Sequence, residues 1–303
     1  MDRLYLGVEI GGSKLQIVAG KRSGKIERRW RATARRDDGR AAIARQILAG
    51  IAEIRQGIEL AGIGVGFGGP VDFRSGRICR SHQVQGWENF DLRGWLAAET
   101  GLRAAVENDS NCAALAEATL GAGAGQSPVF YFNLGSGVGG GLVVDGRVYH
   151  GAPPGEAEFG HLRLDRSGVI VESRCSGWAV DRRIRAAACA HPQSCLAQAV
   201  AGADGGESRH LAAALAQGDP HAKQILIELS DDLAFALSHA IHLFHPAVLV
   251  LGGGLALVGE ELRAAVAGAL GRYVMEAFCP GPPLRLARLG EDAVPIGALL
   301  LVQ

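Results

Sequence analysis

The stretch Asn133-Leu134-Gly135-Ser136-Gly137-Val138-Gly139-Gly140-Gly141 decides how the rest of the chain is read. It follows the apolar, aromatic run Val129-Phe130-Tyr131-Phe132 and precedes Leu142-Val143-Val144. So many glycines cannot sustain a helix, and each permits a positive φ, so the pattern predicts strand, glycine turn and strand. A turn with so little side chain exposes backbone N–H groups, which cradle phosphate oxygens. The letters also satisfy G-x-G-x-x-G at Gly135, Gly137 and Gly140. A dinucleotide fold needs a helix to open at the last glycine. Here a strand and a second turn, Asp145-Gly146, follow, which argues against that fold.

The theme occurs twice. Gly7-Val8-Glu9-Ile10-Gly11-Gly12-Ser13-Lys14-Leu15-Gln16-Ile17-Val18-Ala19-Gly20 reads as another strand, glycine turn and strand. Either stretch alone fits an ordinary tight hairpin. The pair reads as an internal duplication, two turns able to grip a polyphosphate from opposite sides of a cleft.

Outward from these turns, strands are expected at 4–10, 14–19, 25–33, 63–67 and 104–106. One helix carries Ile43, Ile47, Ile51 and Ile54 on one face, and others cover Leu92 to Thr100 and Ser110 to Leu120. This is a mixed-sheet α/β pattern. The second half is mostly helical. A long helix from His221 to Phe244 puts Leu226, Leu229, Leu233, Leu237, Ala240 and Phe244 on one stripe, with Pro246 ending it. His239 and His242 on that helix read as solvated or hydrogen-bonded rather than metal-ligating. Val248 to Leu251 reads as a buried strand, Glu260 to Met275 as a helix, and Ala293 to Val302 as a helix that packs back on the first domain. Two domains are expected, residues 1–118 with 290–303 and residues 119–289, around a glycine-rich hinge near 118–128.

The chain has 303 residues, 44 of them glycine, which suits a compact α/β protein rich in turns. Lys plus Arg and Asp plus Glu balance at 31 each, so no global field favours nucleic acid or an anionic membrane. No apolar run reaches spanning length; Ala247 to Val258 is short and broken by glycines. The six cysteines form no C-x-x-C pair and read as reduced thiols. With no leader pattern at the start, a cytoplasmic location is expected.

Three segments carry chemistry. In Val106-Glu107-Asn108-Asp109-Ser110-Asn111, at a strand-to-helix junction, Asp109 could deprotonate a hydroxyl with Asn108 orienting it; Asp109 or Ser110 could instead be a plain helix N-cap, the commoner explanation for one Asp before a helix. Glu156-Ala157-Glu158-Phe159-Gly160-His161 offers two acids and an imidazole suited to vicinal hydroxyls, and it also reads as a surface loop or, less well, a metal site. Gly252-Gly253-Gly254 after a buried strand lets a flat ligand such as adenine approach the backbone, or makes a simple turn. G-x-x-x-x-G-K-[ST] and G-x-S-x-G are both absent.

Taken together and in this order, these segments resemble the ROK family of sugar kinases, repressors and related proteins, within the actin-like ATPase superfamily. The likeness rests on the two hairpins, on Gly68-Gly69-Pro70-Val71-Asp72, Gly86-Trp87-Glu88-Asn89 and Glu107-Asn108-Asp109-Ser110-Asn111, on Glu158-x-Gly160-His161 and on Val250-Leu251-Gly252-Gly253-Gly254. The resemblance implies a two-domain actin-like ATPase (ribonuclease H-like) α/β fold with mixed sheets and an interdomain cleft. It implies ATP-dependent phosphorylation of a hexose or N-acyl-hexosamine, with Asp109 as base. Asn108, Glu158, His161, Glu172, Gln83 and Gly69 would bind the sugar. Gly11, Gly12, Ser13, Lys14, Gly135, Ser136, Gly137, Gly253 and Gly254 would bind the nucleotide and its phosphates. Glu9 would hold Mg²⁺, directly or through water. A homodimer is usual among similar proteins. A non-catalytic sugar sensor and a polyphosphate-dependent kinase are the alternatives on the same fold.

The sequence also departs from the family. The cysteine-rich zinc segment expected after E-x-G-H is missing; the chain runs His161-Leu162-Arg163-Leu164-Asp165-Arg166-Ser167-Gly168-Val169-Ile170-Val171-Glu172. Cys175 cannot replace three thiolates, so no structural zinc is expected and His161 needs another orienting partner. Glu9 stands where Asp is usual, Gln83 where Asn is usual, and His245 where Asn is more usual.

Overall fold

The computed structural model of the chain describes residues 3–12, 14–34, 39–81, 85–153, 155 and 157–302. Contacts divide it into two units: residues 1–125, 141–157 and 289–303 form the first, and 126–140 with 158–288 form the second.

The first unit is built on strands β1 (Leu4–Ile10), β2 (Lys14–Gly20), β3 (Ile26–Thr33), β4 (Leu60–Phe67) and the short pair β5 (Val71–Asp72) and β6 (Arg77–Ile78). Strand β7 (Ala104–Asn108) completes its sheet, whose order is β3-β2-β1-β4-β7. β1, β2 and β3 pair antiparallel, because short turns join them, while β4 and β7 are parallel additions reached through helices. Those helices are α1 (Gly39–Ile54) and α2 (Leu92–Thr100), with α3 (Asp109–Leu120) leaving β7 directly. The expected face of α1 is the buried one: Ile43, Ile47, Ile51 and Ile54 pack on Leu6, Val8, Ile17, Val65 and Trp87.

The second sheet is formed by β8 (Val129–Leu134), β9 (Val138–Val144), β10 (Arg147–Val148), β11 (Val248–Gly252) and β12 (Leu284–Leu286), in the order β10-β9-β8-β11-β12. The end of β9 and all of β10 group with the first unit. β11 runs parallel to β8 and β12 parallel to β11. Reading each sheet by order of appearance gives third, second, first, fourth, fifth in both cases. The duplicated hairpin is thus the visible part of a duplicated sheet. Helices α4 (Val171–Cys175), α5 (Gly177–Ala190), α6 (Cys195–Ala199), α7 (Leu211–Ala216), α8 (Pro220–Phe244) and α9 (Glu260–Leu270) supply the rest of the second unit. The last helix, α10 (Ala293–Leu301), returns to the first unit and approaches its sheet through missing side chains. A Cβ on Gly64 would land on Ala298 O, and one on Gly7 on Pro295 O.

The structure departs from the sequence reading in several places. Residues 141–157 leave the expected 119–289 segment and pack with the first unit, because Gly141 lies against α3, where a Cβ would stand 2.6 Å from the Ala114 side chain. On α8 the buried face includes Ile225 and Ile241, while Leu226 is half-buried and Phe244 is 39% exposed. Small residues Ser230, Ala234 and Ser238 are also buried, so the face is broader than a single stripe. α9 stops at Leu270, short of Met275, with Gly271 closing it. His245 closes α8 at φ 44°, a left-handed position that Asn tolerates well, which gives a physical reason for Asn being more usual there. Among the described residues, no helix is long and apolar enough to cross a membrane.

Candidate active site

The predicted residues fall into two clusters, one in each unit, while Ser13, Gln83 and Glu156 lie outside the described residues. In the first unit, β7 ends at Asn108 and α3 starts at Asp109. Neither Asp109 nor Ser110 is the N-cap. Asn108 is: its Oδ1 accepts the N–H groups of Ser110 (2.8 Å) and Asn111 (3.1 Å). Its Nδ2 donates to Gly69 O at 3.2 Å, tying this junction to the turn after β4. Asn108 is therefore largely spent on structure, with one amide hydrogen left for a ligand. Gly69 is likewise engaged, since its N–H donates to Phe67 O at 2.9 Å.

Capping by Asn108 frees Asp109 from that duty. Its Oδ1 accepts the Ser110 N–H at 2.7 Å, and a Cβ on Gly68 would stand 3.3 Å from its Oδ2. Gly68 in turn donates its N–H to Ile10 O at 2.9 Å, which brings the end of β1 and the first glycine turn beside Asp109. In that turn Gly11 N–H donates to Lys14 O at 2.9 Å, and Gly12 is half-buried. Glu9 and Lys14 face each other across it, Nζ to Oε2 at 3.1 Å, and Gln16 Nε2 donates to the same oxygen at 3.2 Å. Burial pushes the Glu9 carboxyl above its ordinary range, with Lys14 pulling it back. Gln16 is fully buried, and its Oε1 accepts from Arg29 (2.7 Å) and Arg31 (2.6 Å). These two arginines pair with Asp292 and Glu291 at the start of α10.

The sequence reading missed this network, which joins residues more than 250 positions apart. Nor does the local sequence single out Glu107 or His150. Glu107 is buried, with Oε1 accepting from Asn108 N–H (2.9 Å) and Asn111 Nδ2 (3.1 Å) and Oε2 lying 2.6 Å from His150 Nε2. The His150 ring stacks on Phe73 at 3.7 Å. Glu107 was visible as a carboxylate inside the quoted segment; nothing local to His150 signalled its partner.

In the second unit the glycine turn 135–137 is braced from several sides. Gly135 N–H donates to Gly137 O (2.9 Å), and Gly177 N–H at the start of α5 donates to Gly135 O (2.7 Å). Glu172, predicted as a sugar contact, accepts the Val138 N–H on Oε2 at 2.9 Å and lies so close to the turn that a Cβ on Gly137 would stand 2.6 Å away. Ser136 is exposed at the tip. Gly160 of the E-x-G-H turn abuts Val138 O, and Gly253 abuts the Leu134 backbone at φ 83°. Gly253 is thus required by packing, whereas a Cβ on Gly254 would meet nothing within 4 Å. The structure therefore gathers the second hairpin, Glu172, the 158–161 turn and the 252–254 glycines around one strand end. Glu158 and His161 are exposed, and the His161 ring has no hydrogen-bond partner among the described residues.

Where the family's zinc segment would lie, the chain makes its own closure. Leu164 N–H donates to Val169 O (2.8 Å) and Val171 N–H to Leu162 O (2.9 Å). Asp165 Oδ1 gathers the Ser167 hydroxyl and the N–H groups of Ser167, Gly168 and Val169. The bond from Ser167 holds the Asp165 carboxyl below its ordinary range. Cys175 is fully buried, where desolvation pushes its thiol up, the opposite of what a metal thiolate needs. Among the described residues, no group of three or more His, Cys, Asp or Glu is placed to hold a metal. These residues do not fit a zinc site.

Two five-stranded sheets of identical order, each opening on a glycine hairpin, define the actin-like ATPase fold. A model of the ROK family matches residues 5–303. The glucokinase of Thermotoga maritima is 29% identical over 312 residues, covering 100% of this chain and 98% of that protein. A beta-glucoside kinase of Listeria innocua is 28% identical over 252 residues, covering 82% and 81%. The crystal structure of a ROK family glucokinase from Streptomyces griseus, in complex with glucose and AMPPNP, superposes with a TM-score of 0.86 at 28% identity, covering 98% of this chain and 99% of that one. The chain belongs to the ROK family and is one of its sugar kinases.

Proposed function

We propose that this enzyme transfers the γ-phosphoryl group of ATP to a hydroxyl of a hexose, with glucose first among the candidates and N-acyl-hexosamines next. The observation that carries the reading is the setting of Asp109. Its Oδ1 is held by the Ser110 N–H, while Asn108 takes over the helix cap that Asp109 would otherwise serve. Asp109 accepts the proton of the attacking hydroxyl, the oxygen bonds to the γ-phosphorus, and the bond to the β–γ bridging oxygen breaks to leave ADP. Phosphoryl transfer asks the protein mainly for alignment and charge compensation, so one positioned carboxylate suffices as base. The glucokinase names of the relatives support glucose, and the exposed Glu158 and His161, the last amide hydrogen of Asn108, and Glu172 are the groups assigned to its hydroxyls.

The glycine turns at 11–12 and 135–137 and Lys14 are assigned to the phosphates, and Gly253 and Gly254 to the adenosine. Glu9 alone does not build a cation cage, and Oε2 is already shared by Lys14 and Gln16. Mg²⁺ usually takes one or two carboxylates with the substrate's phosphates and keeps several waters, so Glu9 is the residue that would hold it, directly or through water. When bound, the ion neutralises charge on the phosphates. No zinc enters this reading. A cytoplasmic homodimer completes it, and sedimentation measures the dimer.

The test is a coupled ADP-release assay with Mg²⁺·ATP across glucose, mannose, fructose, allose, N-acetylglucosamine and N-acetylmannosamine. Asp109→Asn is expected to lower kcat by about 10² to 10⁴ with the fold intact; substantial residual turnover would sink the role of Asp109. Sugar binding by calorimetry without turnover would favour a sensor, and turnover with polyphosphate alone would change the donor.

A further inference from the structure

The chain passes between its two units four times, after Gly125, Gly140, Ala157 and Arg288. On the side of the first unit, every passage is fastened to α3 or to the residues leading into it. Ala122, just before the first passage, donates its N–H to Glu117 Oε2 at 2.7 Å. Leu289, the first residue after the last passage, donates its N–H to Glu117 Oε1 at 2.7 Å. Gly141, the first residue after the second passage, is packed against Ala114 and Asn111 of α3. His150, shortly before the third, is held by Glu107, the residue whose other oxygen binds Asn108 N–H and Asn111. All of these contacts lie within the first unit.

Glu117 is the least expected of these groups. It is fully buried, and a Cβ on Gly121 would land on its Oε2. Burying a carboxylate is costly unless its oxygens are matched by donors. Here two backbone N–H groups, 167 positions apart in the chain (289 − 122), converge on its two oxygens. A glutamine would offer only one acceptor and would turn its NH₂ toward the other N–H. The requirement for two acceptors explains the acid.

We propose that α3, together with the end of β7 that leads into it, is the common anchor of the four passages. Glu117 is the positioning residue that pins the first and last of them to the helix carrying Asp109. Movement of those passages during a catalytic cycle is then transmitted to, and limited by, that helix. Hinge residues characteristically lie away from the chemistry and alter kcat and KM together. The inference rests on the sugar-kinase reading and not on which sugar is used.

Glu117→Gln tests it in the full-length enzyme. Expected are a fall in kcat of about tenfold with a matching rise in the sugar KM, and faster hydrogen exchange at the amides of both Ala122 and Leu289. Gly121→Ala, which drives the carboxylate off its two donors, is expected to give the same pattern and decides the matter if Glu117→Gln does not fold. Glu207→Gln is the control: that buried acid pairs with Arg185 in the second unit, and its loss should lower the melting temperature while leaving kcat and KM unchanged. A lower melting temperature with wild-type kcat and KM in both Glu117→Gln and Gly121→Ala would overturn the proposal. Should the wild type turn over none of the sugars, the substrate reading fails and exchange alone decides. AMPPNP should then slow amides 122 and 289 together in the wild type and not in Glu117→Gln; equal slowing in both would overturn the pin.

Discussion

Between Ile10 and Lys14 the first hairpin turns with Glu9 on one strand facing Lys14 on the other, 3.1 Å apart, over a buried glutamine clamped by two arginines. Between Leu134 and Val138 the second turns with no charged residue on either strand and takes its carboxylate, Glu172, from α4. The two hairpins begin sheets of the same strand order. Their difference teaches that the duplicated backbone fixes where the glycine turns lie but not how they are held. The first is held by opposed charges whose balance depends on pH. The second is held by close packing, with Gly137, Gly160, Gly177 and Gly253 each occupying space that a Cβ would need.

The largest effect is expected where packing leaves no alternative. Gly253→Ala places a side chain at φ 83° against the Leu134 backbone, which should cost about 1–3 kcal/mol and show as a lower melting temperature at every pH. A melting temperature within error of wild type would break the packing account of the second hairpin. Next comes Glu172→Ala, which strips the acceptor from the Val138 N–H; an unmet donor of this kind costs about 1–3 kcal/mol. The nucleotide KM should rise with it. An unchanged KM would separate Glu172 from the phosphate turn.

Smaller, and opposite in kind, is the response of Glu9. Burial raises its folded-state pKa, so the folded protein binds that proton more tightly than the unfolded chain does. The stability this supplies is fully present below the ordinary carboxylate value and is lost as pH rises through the raised one. Glu9→Gln mimics the protonated form and should gain on the wild type in melting temperature as pH rises above the ordinary carboxylate value. A gap that stays flat or closes would remove the charge balance from the comparison. Gly11→Ala should matter least for stability, since its Cβ would stand 3.4 Å from Lys14 O, an ordinary contact. A large loss there would make the two turns alike.

Local signals carried much of the fold. Glycine runs between apolar strands identify both hairpins because a positive φ and the alternation of strand side chains are properties of neighbouring residues. The buried face of α1 was legible for the same reason. Asn108 and Asp109 were legible as a pair at a strand-to-helix junction, but their division of labour was not. Which side chain folds back as the cap depends on the turn after β4, where Gly69 O fixes the Asn108 amide. The broad buried face of α8 was also missed, because Ser230, Ala234 and Ser238 are buried by their neighbours rather than by their own apolarity.

The sequence by itself determined the duplicated hairpins and the family to which the chain belongs. Each is set by residues a few positions apart, so the order of letters is enough. Tertiary structure alone decided that residues 141–157 pack with the first unit, that Glu172 braces the second turn, and that Gln16, Glu107 and Glu117 join distant parts of the chain. A buried polar group takes whichever partner the fold brings within about 3 Å. Two N–H groups as far apart in sequence as Ala122 and Leu289 leave no mark on each other until the chain closes around one carboxylate.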